Sequence, residues 1–387
     1  MLEDHSQLST LTAMSMDDQD FTAGNDKLGF ELGAFQPTAP STPEKPYDTI
    51  CDGRIRLLEI LGQGAYGEVY KGQEMTGGLV AVKKMKTFTG RSWQGISQTT
   101  LREISLLKSM NHKNVVKLRE IVFEDGKAQQ SQLKNNDPAY EQMSTMYLIF
   151  EMGNTDLHKV LQKSYMFTGR GLEPKRIKSI LFQLLEGITF LHTNRTLHRD
   201  LKPENLLLTE DDRLLICDLG LARTVHMPLR PYSQEILTLW YKAPEMCISN
   251  REYSVGVDSW SIGCILVEML TAKPLFPASS SSELLTMMVK VLGNPFHPES
   301  KVVKHNLPFN TQLASVLRLM SKQYYPGHTS SPINQLAAYF SLEDREHGFN
   351  LLCRLLDMNP LSRITPIQAL QHPYFLPEIT TNTQRSR

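Results

Sequence analysis

The chain is poor in cysteine, with five among 387 residues (Cys51, Cys217, Cys247, Cys264 and Cys353) and no CxxC pair. Neither a thiolate metal framework nor a disulfide scaffold follows, and a reducing compartment is the expected setting. Long apolar runs are missing too. The longest, from Ile262 to Val267, stops at Glu268, far short of the ~20 residues a membrane-spanning helix needs. The first residues, MLEDHSQLST, hold no apolar core behind basic residues, so no secretory signal is expected. Runs of lysine and arginine are absent, which argues against a nucleic-acid partner. These absences predict a soluble intracellular protein without a membrane or nucleic-acid partner. With 41% hydrophobic and 21% charged residues, the composition is that of an ordinary globular protein, which excludes collagen-like and coiled-coil chains.

The formal net charge is zero but unevenly placed. Residues 1–50 hold nine acids against two lysines, a net of −7, so residues 51–387 carry +7. A moderately basic body suits phosphate ligands or acidic partners. Residues 1–50 are rich in Asp, Ser, Thr and Pro and lack periodicity, which predicts a disordered acidic arm. Short apolar, turn-bounded runs follow at 54–61, 68–73 and 79–85, three strands of a meander. A helical pattern at 98–110 and strand-like runs at 115–123 and 146–152 come next. A polar stretch at 124–145, with four glutamines and two adjacent asparagines, reads as an exposed insertion.

Beyond Gly153 the pattern becomes helical. Ile177, Ile180, Leu181, Leu184, Leu185, Ile188 and Leu191 recur at spacings of three and four, the apolar face of one long helix. Further helical patterns lie near 257–270, 281–292 and 350–370. A strand-rich half ahead of a larger helical half predicts an α+β, two-lobed domain over 51–375, with a cleft between the lobes. The last residues, 376–387, read as a tail.

Gly62-Gln63-Gly64-Ala65-Tyr66-Gly67, followed by Glu68 and Val69, is a GxGxxG between two strand-like runs. Glycine lets a backbone approach polyphosphate and aim its amides at it. Alone the pattern also fits a plain hairpin with flexible glycines. A strand follows rather than a helix, which argues against a dinucleotide fold. That strand ends Val80-Ala81-Val82-Lys83, sixteen residues past the last glycine. Lys83 is either a solvated strand end or, beside such a loop, a ligand of the α- and β-phosphates, with Glu103 as the anion that holds it.

The second half is the more specific. His198-Arg199-Asp200-Leu201-Lys202-Pro203-Glu204-Asn205 is followed thirteen residues later by Asp218-Leu219-Gly220, then by Ala243-Pro244-Glu245, Asp258 and Arg363. In order and spacing these elements make the chain resemble the eukaryotic protein kinase family from about residue 55 to 375. The resemblance implies the bilobal kinase fold, with an N-lobe over about 55–152 and a C-lobe over about 153–375. It implies ATP and Mg²⁺ as cofactors. By resemblance Asp200 accepts the substrate hydroxyl's proton, Asn205 and Asp218 ligate Mg²⁺, and Lys202 neutralises charge on the transferring group. Glu245 and Arg363 become a structural ion pair, and Asp258 a brace for the catalytic-loop backbone.

The same resemblance sketches the nucleotide pocket. Leu61, Val69, Ala81 and Leu207 would sandwich the base, and Phe150 would stand at the gatekeeper position. Glu151 and Met152 would offer backbone hydrogen bonds and Asp156 a ribose contact. Cys217 either faces the ATP site or is a small core residue. Leu219 stands where the family usually has phenylalanine, while every ionic residue is present.

Within the family, Gly95-Ile96-Ser97-Gln98-Thr99-Thr100-Leu101-Arg102-Glu103 resembles the cyclin-contacting helix of cyclin-dependent kinases, with SQTTLRE in place of PSTAIRE. The segment from Asp218 to Glu245 has that family's length, with Ser233 where an activating threonine usually stands. The resemblance therefore implies a cyclin regulatory subunit, an activating kinase for Ser233, and Arg102, Arg199 and Arg223 converging on the phosphate. It implies protein substrates phosphorylated at Ser/Thr-Pro, with Thr238 bridging Asp200 and Lys202. Tyr66 is the inhibitory site implied on the glycine loop. The duty implied is cell-cycle or transcription control, in nucleus, cytoplasm or both. The alternatives are a cyclin-independent or mitogen-activated-like kinase, and a catalytically idle cyclin-binding scaffold.

Overall fold

The computed structural model describes residues 49–64, 67–85, 104, 107–124, 145–218, 239–248, 255–297, 311–324 and 332–376, all within one compact unit that runs from Tyr47 to Arg387. The acidic arm, the body of the polar insertion and the C-terminal tail lie outside the described residues.

The three meander runs form β2 (Ile55–Gly64), β3 (Gly67–Glu74) and β4 (Leu79–Met85), and a two-residue β1 (Thr49–Ile50) pairs ahead of them. With β5 (Leu118–Glu124) and β6 (Thr145–Glu151) they make one antiparallel sheet in the order β1-β2-β3-β4-β6-β5. Strand alternation sorts the side chains onto two faces. Tyr147 and Ile149 join Ile50, Cys51, Ile55, Leu57, Val80 and Val82 on one. Met146 and Leu148, with Phe150 against them, pack on Ile104, Leu107 and Leu118 on the other. Ile104 and residues 107–109 are helical, in keeping with the pattern at 98–110; residues 98–103 lie outside the described residues.

The strand expected at 115–123 starts at Leu118 instead. Val115 forms an isolated parallel bridge with Ile216, and the Val116 amide donates to the Ile216 carbonyl at 2.9 Å. These β-branched residues spend their pairing capacity on the large lobe. They tie the two lobes together just ahead of β5.

The large lobe is built around helices. After β7 (Thr155–Asp156), α1 (Leu157–Thr168) is capped by the Asp156 carboxylate, which accepts from the Lys159 amide at 2.8 Å. The long helix α2 (Pro174–Thr193) starts with proline at its first position and buries all seven apolar residues of the three-and-four spacing. β8 (Leu206–Leu208) pairs with β7 on one side and β9 (Leu214–Ile216) on the other in a small second sheet. A short α3 (Pro244–Ile248) precedes α4 (Gly256–Thr271), in which every residue from Gly256 to Leu270 is buried. The chain's longest apolar run is therefore the core of this lobe. No helix among the described residues is long and apolar enough to cross a membrane.

α5 (Ser281–Leu292) matches its expected bounds, whereas α6 (Thr311–Tyr324) falls outside the expected helices. The pattern at 350–370 resolves into two helices, α7 (Arg345–Leu355) and α8 (Pro366–Leu370). Between them the Asp357 carboxylate accepts from the Asn359 amide (2.9 Å) and the Ser362 hydroxyl (2.6 Å). A Thr365–Gln368 capping box with Pro366 at the first position then restarts the helix. Proline lacks the amide that an unbroken helix would need there.

Candidate active site

Strand register places four expected pocket residues on one face. Val69 lies opposite Lys83, Ala81 opposite Phe150, and Lys83 opposite Leu148. Residues directly opposite share a face, as do residues two apart on a strand. Phe150 backs onto the Ile104–Leu107 cluster, which closes that end. The Lys83 ammonium stands 3.8 Å from Asp218 Oδ1, so the anion that the described residues give it is Asp218; Glu103 lies outside them.

The glycine loop is a hairpin held by its own side chains. Gln63 pairs with Glu68 and Gly64 with Gly67. Gln63 Nε2 donates to Glu68 Oε1 at 2.8 Å, and the Tyr70 hydroxyl donates to Glu68 Oε2 at 2.6 Å. Leu61 is the extra residue where the register shifts between Ile60 and Gly62. A Cβ at Gly67 would run into the Lys84 carbonyl, so only glycine fits that turn. Ala65 and Tyr66 lie outside the described residues.

At the hinge, the Glu151 amide already donates to the Lys117 carbonyl at 3.1 Å. The backbone contribution expected from Glu151 narrows to its carbonyl. Its carboxylate accepts from the Lys117 amide (2.8 Å) and pairs with Arg213 (3.3 Å), bracing the linker against the large lobe. Gly153, which carries no pocket signal in the sequence, lies so close to Leu207 that a Cβ there would stand 2.7 Å from the Leu207 Cβ. Asp156, expected at the ribose, also caps α1 and pairs with Lys159 at 2.9 Å.

The catalytic loop is held by a set of short-range bonds. Asp200 Oδ2 lies 3.3 Å from the Lys202 ammonium. Asn205 Nδ2 donates to the Asp200 carbonyl at 2.8 Å, which leaves its Oδ1 as the oxygen donor of that side chain. The Cys217 amide donates to the Asn205 carbonyl at 3.0 Å, fixing Asp218 beside the loop. His198, in the motif but given no role from sequence, links the same parts. Its Nε2 lies 2.9 Å from the Cys217 carbonyl and its Nδ1 3.3 Å from the Asp200 amide. A carbonyl only accepts and an amide only donates, so Nε2 donates to the first and Nδ1 accepts from the second. Burial and the Asp218 carboxylate push the Cys217 thiol up to about 12, so it is a neutral packing group at physiological pH.

Two residues of the site hold strained backbone: Arg199 has φ +66° and Asp218 has φ +60°. Asp258 secures the first of them. Buried in the first turn of α4, it accepts from the Arg199 amide (2.8 Å) and the His198 amide (3.0 Å), and pairs with His192 Nε2 (2.7 Å). Burial opposes its charge, but the His192 hydrogen bond and the Arg199 amide help outweigh it and hold the carboxyl below its usual range. Farther out, Glu245 and Arg363 meet in a buried bidentate pair at 2.6 and 2.9 Å.

Of the expected residues, Glu103, Arg102, Arg223, Ser233 and Thr238 lie outside the described residues. The described chain resumes at Leu239, and the Tyr241 hydroxyl donates to Glu268 Oε2 at 2.7 Å inside the lobe. Burial pushes the Glu268 carboxyl up to about 7.

Oxygen donors at Asn205 and Asp218, a carboxylate–ammonium pair at Asp200 and Lys202, and a lysine facing a glycine hairpin suit transfer of a phosphoryl group from a nucleotide. Among the described residues no cluster of three or more His, Cys, Asp or Glu side chains could hold a metal.

Comparison with known proteins agrees with this class. The protein kinase domain model matches residues 55–375, and the chain belongs to the protein kinase family. It is 37% identical over 325 residues to cell division control protein 2 homolog 3 of Trypanosoma brucei brucei, covering 83% of this chain and 92% of that one. It is also 37% identical over 336 residues to cell division control protein 2 homolog D of Antirrhinum majus, covering 86% and 96%. The protein is thus a Ser/Thr protein kinase of the cyclin-dependent type, using ATP and a divalent metal ion and acting on proteins.

Proposed function

We propose that this kinase transfers the ATP γ-phosphate to serine or threonine followed by proline, after activation by a cyclin subunit and by phosphorylation of Ser233, in cell-cycle or transcription control. The observation that carries the catalytic part is that Asp200, Lys202 and Asn205 meet at 2.8–3.3 Å, that Lys83 and Asp218 stand 3.8 Å apart, and that the Cys217 amide, next to Asp218, joins the two sets through the Asn205 carbonyl at 3.0 Å. When bound with ATP, Mg²⁺ would offset negative charge on the phosphates. Lys83 holds the phosphates against the glycine hairpin of Gly62, Gln63, Gly64 and Gly67. Asn205 Oδ1 and the Asp218 carboxylate hold the metal. Asp200 orients the attacking hydroxyl and takes its proton, and Lys202 neutralises charge building on the group in flight. Leu61, Val69, Ala81, Leu207 and Phe150 enclose the base.

The regulatory part rests on likeness. SQTTLRE stands where cyclin-dependent kinases carry their cyclin-contacting helix. Ser233 is followed five residues later by Thr238, within a segment of that family's length. Both curated relatives are named for control of cell division. Arg102, Arg199 and Arg223 would bind the Ser233 phosphate, and Glu103 would swing in to Lys83 as the cyclin seats. A proline after the acceptor suits a pocket that has no partner for an amide hydrogen. We place the protein in the nucleus, the cytoplasm or both, as the family implies.

The test is purification from its own cells followed by transfer assays on Ser-Pro, Thr-Pro and Ser-Ala peptides. Co-purification of a stoichiometric cyclin, phosphate on Ser233 and preference for proline are expected, with Asp200→Asn reducing turnover at least ~10²-fold. Strong activity of the lone chain would instead favour the cyclin-independent reading. No transfer even with a partner and Ser233 phosphate would favour the scaffold.

A further inference from the structure

A groove of about 1300 Å³ runs along the large lobe away from the catalytic loop, between the C-terminal half of α1, the turn at 169–173 and the end of α4. Its rim is unusual in two ways. Among its lining residues, the last turn of α1 exposes Tyr165 at 45% and Phe167 at 80%, and Tyr339 is 51% exposed. α1 buries only Leu157 and Leu161, so its final turn has apolar surface that the fold does not use. Exposed aromatics gathered in one groove mark interaction sites more often than plain surface.

The second feature is charge. Lys159, Lys163, Arg170, Arg176 and Lys273 line the groove against a single acid, Glu173. Asp156 answers Lys159 at 2.9 Å and Asp212 answers Arg176 at 2.7 Å. Lys163 and Arg170 form no ion pair with any described residue, and Lys273 lies over the Tyr165 ring, 5.9 Å from its centre. The groove therefore offers uncompensated positive charge beside bare aromatic surface. A second copy of this chain would bring the same cations against themselves.

We infer that this groove docks an acidic segment of a partner protein, one that carries bulky apolar side chains among Asp and Glu. The apolar anchors pack on Tyr165, Phe167 and Tyr339, while the carboxylates face Lys163, Arg170 and Lys273. Docking here leaves the phosphoryl-transfer site open, so the partner is either a substrate held at a distance from its acceptor or a regulator.

The test is fluorescence anisotropy of the full chain with a fluorescein-labelled peptide of glutamates interspersed with leucine and phenylalanine. Saturable binding is expected. It should weaken about tenfold in the Lys163→Glu/Arg170→Glu double variant and again in Phe167→Ala, and weaken as salt rises. These side chains are exposed or rim residues, so melting temperature and phosphorylation of a short peptide should stay at the wild-type value. If the variants misfold, wild type alone decides: a peptide with lysine in place of glutamate must not bind. Absence of saturable binding, equal binding of the lysine peptide, or tighter binding of an oligothymidine would overturn the inference. So would a concentration-dependent dimer in sedimentation that Phe167→Ala abolishes.

Discussion

Arg363, in the turn between α7 and α8, grips both carboxylate oxygens of Glu245 in α3, 118 residues earlier in the chain. The same guanidinium donates to the Gly256 carbonyl (2.9 Å) and the Asp357 carbonyl (2.8 Å), and it lies over the Trp260 ring at 5.1 Å. One planar cation thereby joins the segment ahead of α4, the start of α4 and the turn that splits α7 from α8. No lysine reproduces that fork.

Arg363→Ala leaves a buried carboxylate without its partner, which typically destabilises by about 3–5 kcal/mol. We expect a large fall in thermal and urea stability, with Arg363→Lys recovering only part. Retention of wild-type stability in Arg363→Ala would show that the pair is dispensable.

Asp258→Asn removes charge from a group that accepts three bonds. An amide has one acceptor oxygen, and its NH₂ would face a backbone N–H. The left-handed Arg199 loses its restraint, so turnover should drop about tenfold or more while nucleotide affinity changes little. Equal losses in both would place the damage elsewhere.

Gly153→Ala would place its methyl 2.7 Å from the Leu207 Cβ. Leu207 belongs to a strand and has little room to retreat. The substitution should cost about 1–3 kcal/mol and raise the KM for ATP more than it lowers kcat. Titration with a fluorescent nucleotide analogue checks this directly.

Glu268 gives a pH-dependent stability with a definite sign. Its folded carboxyl is raised from 4.5 to about 7 by burial, so between those values the folded chain binds the proton that the unfolded chain has released. Its contribution is complete below about pH 4.5 and is lost as pH rises through about 7. The difference in unfolding free energy between wild type and Glu268→Gln should fall over that window. A flat difference would refute the burial argument. The neighbouring Tyr241 hydroxyl is pushed up, first by burial, and stays protonated throughout.

Lys83→Met should reduce kcat/KM about 10²–10³-fold with little change in melting temperature. Its partner Asp218 is 41% exposed at 3.8 Å, and such pairs contribute little to stability. A collapse of stability would instead mark the pair as structural.

Much of this is legible in the residues themselves. The apolar face of α2 follows from spacing, because a helix buried on one side must repeat every three to four positions. The strands of the small lobe follow from alternation, and the catalytic loop from its order of ionic residues. The split of α7 from α8 does not show in the pattern, despite Pro360 and Pro366, because apolar residues keep helical spacing across the turn. The start of β5 is displaced from its expected position because Val115 and Val116 are strand formers whose partner, Ile216, lies a hundred residues away. His198 and Gly153 carry no local signal because their roles are set by neighbours distant in sequence.

The amino-acid sequence by itself determined the chemistry on offer: which carboxylates, ammonium groups and glycines are present, and on which strand, helix or loop each sits. Those are local matters of residue type and periodicity. The tertiary structure alone decided that Lys83 reaches Asp218, that the brace expected of Asp258 takes in His192 as well as the Arg199 amide, and that Gly153 abuts Leu207. Each of these contacts joins segments whose separation in space depends on the packing of a whole lobe, and no local spacing encodes it.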